Sequence, residues 1–205
     1  MKTSVYLPTL LAALALTLSA CSKQDAPGAA PEKSATPATA PAAAKSPTSA
    51  YDSVAAQGKG FTVGAVMAAN TVYVLFDPQC PHCGKLWNAS IPLQKQAKFV
   101  WMPVAIMNGK SASQGAALMA ASNPAELMNT HEASILAGAG GISASSSAPA
   151  EIEEAIKANT KLFTSLGIES VPFIVAKNSQ TSQVVSNNGA MDTVALAGFL
   201  GLTAP

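Results

Sequence analysis

The sequence predicts a single α/β domain in which a central sheet is interrupted by a helical insertion. Three observations carry that reading. TVYVLF at 71–76 is a continuous β-branched and aromatic run flanked by turn residues, and KFVWMPVAI at 98–106 is a second such run. Between them, a segment that opens at Pro81 carries helical apolar spacing. Strand, helix, strand makes a β-α-β unit, for which parallel pairing with a right-handed crossover is the default. Residues 111–165 are then helical in pattern before the chain returns to strands.

Taken in order, the chain starts with a segment that cannot belong to this core. Lys2 and then a nearly unbroken apolar run over 5–20 are too short to span a bilayer comfortably and suit the apolar part of a signal peptide. Leu18-Ser19-Ala20-Cys21 resembles a bacterial lipobox, in which Cys21 would be acylated and become the mature N-terminus. An ordinary secretory signal with a chance cysteine is the alternative. Ser22, where an Asp would favour retention at the inner membrane, points by the same resemblance to the outer membrane. Residues 22–50 are rich in Ala, Pro, Ser and Thr with no large apolar residue, so they build no core and read as a tether. Fully extended, such a spacer reaches about 90 Å at roughly 3.1 Å per residue.

Residues 51–205, about 155 in number, are a comfortable size for one domain. The chain has 12 basic and 11 acidic residues and no basic cluster with interleaved aromatics, which argues against nucleic acid as a partner. Thr71 to Phe76 is expected to be a strand buried on both faces. The helix begins at the cysteines, with Pro81 in its first turn, and Pro92 ends or kinks it. In the insertion, about 108–166, helices are expected over 112–121, over 125–133 behind Asn123-Pro124, and after Ser147 and Pro149 with Ile152, Ile156, Phe163 and Leu166 on one side. GAGGISASSSAP between them has no periodicity and reads as a loop. Gly167 suits a helix C′ position, 173–176 and 183–185 form short strands, and 192–200 a last helix.

The stretch Asp77-Pro78-Gln79-Cys80-Pro81-His82-Cys83-Gly84 carries the chemistry. If Cys21 is acylated, Cys80 and Cys83 are the only cysteines of the mature domain, and a bridge closing so short a loop adds little stability. Two cysteines separated by two residues on a helix's first turn suit disulfide exchange. Cys80 would sit among unpaired backbone N–H groups at the positive end of the helix and attack as a thiolate. Cys83, one turn on, would be deeper and resolve the mixed disulfide. His82 offers a positive or hydrogen-bonding neighbour, and Pro81 shapes the turn. A metal site is the second reading, with Cys80, Cys83, His82 and His131 as the available side chains and His82 poorly placed to ligate. A buried, inert pair is the third. Haem attachment fails because Gly84, not His, follows Cys83. No cofactor and no metal are expected. Asp77 is either a proton relay for Cys83 or part of a turn, and His131, with no motif around it, reads as a surface residue.

VYVLFDPQCPHCGKLW resembles the active-site region of the DsbG and DsbC family of periplasmic thioredoxin-fold proteins, which carries a strand, Asp-Pro, CxxC and a downstream Trp. The likeness continues through SNPAEL, NTKLFTSLGI, Val171-Pro172 and GAMDTVALAGFLGL, over about 72–202. It implies a thioredoxin-like sheet with a helical insertion and a thiol:disulfide oxidoreductase whose Cys80–Cys83 disulfide is redox-active. It further implies a cis Pro172 facing the cysteines, with the Val171 backbone open to a substrate strand. Implied partners are cysteine-containing envelope proteins and a membrane redox protein of the DsbB or DsbD type. The chain departs from the family in two ways. Pro81-His82 and Val171 look like the dedicated oxidant DsbA, and the 20 residues over 51–70 are too few for the family's dimerisation domain, so a monomer is expected. A rival expectation from a different class is a lipoprotein that uses the same frame as a non-catalytic binding module.

Overall fold

The computed structural model describes residues 46–145 and 147–205. The expected leader, Cys21 and the 22–45 part of the tether lie outside the described residues. The elements are α1 (Pro47–Gln57), β1 (Phe61–Gly64), β2 (Thr71–Phe76), α2 (Pro81–Ser90) followed by a 3-10 turn at Ile91–Leu93, β3 (Lys98–Pro103), α3 (Ser111–Ala120), α4 (Pro124–Leu136), α5 (Ala150–Ser165), β4 (Phe173–Lys177), β5 (Val184–Asn188) and α6 (Thr193–Leu200). One sheet forms in the order β1-β3-β2-β4-β5. β2 and β3 are parallel, and the other three pairings are antiparallel. Among the described residues no helix is long and apolar enough to cross a membrane.

The β-α-β unit, the three helices of the insertion and the terminal strand pair and helix follow the sequence reading. Where boundaries differ, a local interaction explains it. β3 stops at Pro103 rather than at 106 because the chain leaves the sheet there. Val104 N–H still bonds Phe76 O at 2.8 Å, but the N–H groups of Ile106 and Met107 turn to the Asp77 carboxylate. β5 runs to Asn188, in register with Phe173 of β4, because pairing with β4 sets its length. The domain boundary at 51 is corrected. α1 begins at Pro47, with Ser46 accepting a 3.4 Å bond from Ser49 N–H and Pro47 in the first turn, where a missing N–H costs nothing. β1 was not expected either. It has four residues, buries Phe61 and Val63, and lines the edge of β3. Gly167 has φ of 67°, as its place after α5 requires.

Alternation along the strands assigns helices to faces. Val74 pairs with Trp101 and Phe61 pairs with Trp101, so their side chains share one face of the sheet with Phe76. There Phe76 and Trp101 meet edge-on at 5.4 Å between ring centroids, and Trp87 of α2 meets Trp101 at 5.2 Å. Aromatic pairs in this arrangement contribute about 0.5–1.5 kcal/mol each beyond the area they bury. Tyr73 points to the other face, where Tyr51 of α1 packs on it at 5.5 Å. α2 and α1 therefore cover opposite sides, and β2 buries Val72, Val74, Leu75 and Phe76 while Thr71 and Tyr73 are half-buried.

Asn159 of α5 ties the N-terminal elements to the sheet. Its Oδ1 accepts from Lys59 N–H at 2.9 Å, and its Nδ2 donates to Lys59 O at 2.6 Å and to Pro103 O at 3.0 Å. The side chain is fully buried, so its removal leaves main-chain groups unpaired. Asn159→Ala is expected to lower stability by about 3 kcal/mol. Urea unfolding measures this, and a loss below about 0.5 kcal/mol, the range of an ordinary surface change, would contradict it.

Candidate active site

The turn from β2 into α2 is built by Asp77. Its Oδ1 accepts from Gln79 N–H at 2.8 Å and Ser111 Oγ at 2.7 Å, and its Oδ2 accepts from the N–H groups of Ile106 at 2.8 Å and Met107 at 2.9 Å. Cys80 N–H closes the turn on Asp77 O at 3.0 Å, with Pro78 at the position where its fixed φ is favoured. Asp77 is completely buried and all its bonds are structural. Of the two sequence readings, the turn is the one its geometry fits. The carboxylate is engaged by four donors, and none of them is Cys83.

The insertion holds the rest of the turn. His131 is fully buried, which corrects its expected surface position. Its Nδ1 accepts from Ile142 N–H at 3.3 Å, which leaves Nε2 to donate to Pro78 O at 2.7 Å. Burial lowers its pKa, consistent with a neutral ring held between two backbone partners. The Gln79 side chain bonds Gln114 of α3, Gly140 O at 3.0 Å and Asn108 Nδ2 at 3.0 Å. Asp77, Pro78 and Gln79 are thus each fixed by a different part of the chain between β3 and α5.

Cys80 caps α2 with extended backbone, and Pro81 and His82 follow it, exposed, in the first turn. Cys80 is 4 % exposed and Cys83 fully buried, and both are free thiols. The Cys80 pKa is pulled down to about 6. The largest cause is a hydrogen bond from the Cys83 thiol. The Cys83 and His82 backbone N–H groups and the charge of His82 add to it, against the opposing effect of burial. Burial pushes Cys83 well above its ordinary value, and the Cys80 thiolate beside it adds to the rise. One sulfur is set to be charged and the other neutral. Val171, before the cis Val171-Pro172 bond, places its carbonyl 3.6 Å from Cys80 Sγ, and Pro172 is buried beside the start of β4. Cys80, Cys83, His82, Pro81, Val171 and Pro172 are brought together as expected. Cys21 lies outside the described residues. Among the described residues, no three His, Cys, Asp or Glu side chains cluster to hold a metal. A cavity of about 660 Å³ between α3 and α5 is lined by none of these residues, whereas an open groove of about 650 Å³ is lined by His82 together with Lys85, Met191 and Asp192.

One residue of this neighbourhood was missed. Glu132 of α4 is fully buried, neither of its carboxyl oxygens has a hydrogen-bond partner, and its Oε2 lies against Gly84 of α2. Burial, then the charges of Cys80 and Asp77, raises its pKa to about 9. The sequence held a signal. Met128, His131, Glu132 and Ile135 follow helical spacing and are the buried residues of α4, so Glu132 stands where an apolar residue belongs.

A search against protein-family models finds no match. The thiol:disulfide interchange protein DsbG of Pseudomonas aeruginosa is 27 % identical over 140 residues, 67 % of this chain and 54 % of that protein. The chain therefore spans about half the length of the curated relative it matches. The catalytic domain of Proteus mirabilis ScsC superposes with a TM-score of 0.53 at 18 % identity, over 75 % of this chain and 94 % of that one. The thiol-disulfide exchange protein α-DsbA2 of Wolbachia pipientis gives 0.55 at 16 %, over 76 % and 96 %. A thioredoxin-like oxidoreductase from Silicibacter pomeroyi gives 0.56 at 16 %, over 73 % and 95 %. The fold is thioredoxin-like, with α3, α4 and α5 as its helical insertion.

Two outcomes follow from this geometry. Asp77→Ala removes the acceptor of four donors, and its expected cost is about 3 kcal/mol or more in denaturant unfolding. A wild-type midpoint would contradict the role given to this residue. For Cys80, the folded pKa of about 6 lies below the ordinary thiol value of 9.0. Its ionisation therefore stabilises the reduced fold fully above the ordinary value and ceases to do so as pH falls through about 6. The stability advantage of reduced wild type over reduced Cys80→Ser should grow between pH 6 and 8 by up to about 1.4 kcal/mol per unit. Thermal unfolding checks this, and an advantage that does not vary with pH would contradict it.

Proposed function

We propose that this chain is an extracytoplasmic thiol:disulfide oxidoreductase, with Cys80 as the exchanging sulfur and Cys83 as the resolving one. The observation that carries the reading is the opposed pair of thiols, one pulled down to about 6 and the other pushed up by burial, at the start of one helix. Exchange needs an attacking thiolate at neutral pH and a second thiol that waits for the mixed disulfide. The similarity to DsbG of Pseudomonas aeruginosa supports the same reading. In it, His82 favours the thiolate through its N–H and its charge, Pro81 shapes the turn, and Val171 and Pro172 form the wall against which a substrate strand lies. Ile106 and Met107, exposed beside the turn, supply an apolar surface for unfolded or flexible polypeptide.

The direction we infer is oxidation of substrate. A Cys80 pKa one unit below neutral pH stabilises the reduced protein by about 1.4 kcal/mol, or roughly 30 mV, so the disulfide form gives up its bond more readily. A DsbG-like reductase role is the alternative direction. The substrates are cysteine-containing envelope proteins, and a DsbB-type membrane protein would restore the disulfide, where a DsbD-type one would serve a reductase. Acylation at Cys21 and a tether place the monomeric domain on the periplasmic side of the envelope, at the outer membrane.

Titration of the purified domain against glutathione buffers, read by alkylation and gel shift, tests the activity. A pair that interconverts between dithiol and disulfide is expected, and one that stays reduced at strongly oxidising poise would refute the proposal. Acid-quenched alkylation in cells reads the direction. A mainly oxidised pair is expected for an oxidant, and a mainly reduced pair would assign the reductase role.

A further inference from the structure

We propose that the end of the domain opposite Cys80 is a membrane-contact face. Val66 and Met67 enter the interfacial layer of an anionic phospholipid bilayer, and Lys95 and Lys98 lie over its headgroups. The proposal rests on the anchoring reading above and goes beyond it by giving the tethered domain an orientation. Tight turns are usually built from Gly, Pro, Asn, Asp or Ser, which meet their backbone demands. The turn between β1 and β2 is Ala65-Val66-Met67-Ala68, closed by Ala68 N–H on Ala65 O at 2.8 Å. Its central residues, Val66 and Met67, are 63 % and 96 % exposed, and no charged residue occurs from 60 to 76.

The turn is fastened to the segment that carries the lysines. Ala65 N–H donates to Gln94 O at 2.7 Å and to Ala97 O at 3.2 Å, and Lys98 N–H donates to Asn70 O at 3.0 Å. Gly64, with φ of 90°, makes this approach possible, since a Cβ there would lie 2.6 Å from Ala97 O. Lys95 is exposed and Lys98 half-buried beside the turn, and among the described residues neither is in an ion pair. Ile91, also exposed, heads the same segment. Lys177, at the end of β4, adds a third positive charge, and Asp52, next to Tyr51, is an acid set against them.

The direction of the chain says what this end faces. β2 and β3 both run from the turn toward the cysteines, so the six residues of β2 set the two ends roughly 20 Å apart. α1 runs the same way. Tyr51, in its first half, packs on Tyr73 and lies under Lys177 Nζ, and Lys177 follows the pairing of Ala176 with Val72 near the start of β2. Gly58, after the end of α1, lies against the Met102 side chain near the end of β3. The chain from Cys21 therefore joins the domain, at Ser46, on the same end as the Val66-Met67 turn. A lipid at Cys21 brings that end to the bilayer, where apolar turn residues leave water and the lysines meet anionic headgroups within a Debye length. A lipid chain combined with basic residues is a common form of stable surface attachment. Cys80, Ile106 and Met107 then point away from the membrane, toward soluble polypeptide.

The test places the full mature chain, labelled with ¹³C-methyl methionine, in nanodiscs of phosphatidylglycerol and phosphatidylethanolamine that carry a spin-labelled lipid. Met67 and Met107 are exposed at opposite ends of the domain, so each is the control for the other. The Met67 methyl signal is expected to broaden and the Met107 signal to stay sharp. A second arm uses the unacylated Cys21→Ser chain and measures its partition onto phosphatidylglycerol vesicles. Lys95→Gln with Lys98→Gln should lower that partition about 30-fold. Val66→Asn with Met67→Asn should also lower it, while glutathione exchange at Cys80 keeps its wild-type rate. Equal broadening of Met67 and Met107, or partition that none of these changes alters, would overturn the face. A Met67 signal that moves with protein concentration in the absence of lipid would assign the face to a second copy of the chain and overturn it as well. A chain recovered from membranes without an acyl group would overturn the anchoring reading, and the Cys21→Ser arm would still decide the face.

Discussion

Everything at the site depends on four hydrogen bonds to one carboxylate. A strand that passes straight into a helix leaves main-chain donors without partners at the junction, and burying them unpaired would cost about 1–3 kcal/mol each. Asp77 takes the N–H groups of Gln79, Ile106 and Met107 and the hydroxyl of Ser111. With one side chain it closes the turn into α2, bends the chain out of β3 and docks the first residue of α3. The position of Cys80 at the helix end, and so its exposure to the helix's free N–H groups, follows from that closure.

The insertion is as much a part of this site as the sheet. α3 supplies Ser111 and Gln114, α4 supplies His131 and Glu132, and the loop after α4 supplies the Gly140 and Ile142 main chain. A turn restrained from three directions holds its two sulfurs in fixed and unequal surroundings. The same low-dielectric setting that lowers the first thiol through directed hydrogen bonds raises the second through loss of water. Unequal thiols are therefore a property of the packing around the motif as well as of the motif itself.

Frame and dipeptide act on different parts of the site. Asp77-Pro78 governs where the helix starts and which elements it is tied to. His82 governs the charge beside Cys80 and is exposed, so it acts without being held by the insertion. That separation leaves the Pro81-His82 pair independent of the turn that carries it.

The sequence by itself determined the β-α-β unit, the CxxC helix and the three helices of the insertion, because long apolar runs, prolines at helix starts and caps such as Asn123 and Asp192 are local signals. That Val171-Pro172 comes to lie beside Cys80 was an expectation of the family resemblance and not of any local signal. α1 and β1 escaped because α1 has only Ala50 and Val54 buried and β1 is four residues long, so neither has a strong pattern of its own. Their existence rests on Tyr73, Trp101 and Asn159, residues supplied by other elements. Only the tertiary structure decided that Asp77 is fully engaged, that His131 is buried and that Glu132 lies against Gly84. Those facts depend on where α4 sits across α2. A helix's periodicity reveals which side of it is buried, but not what that side is buried against.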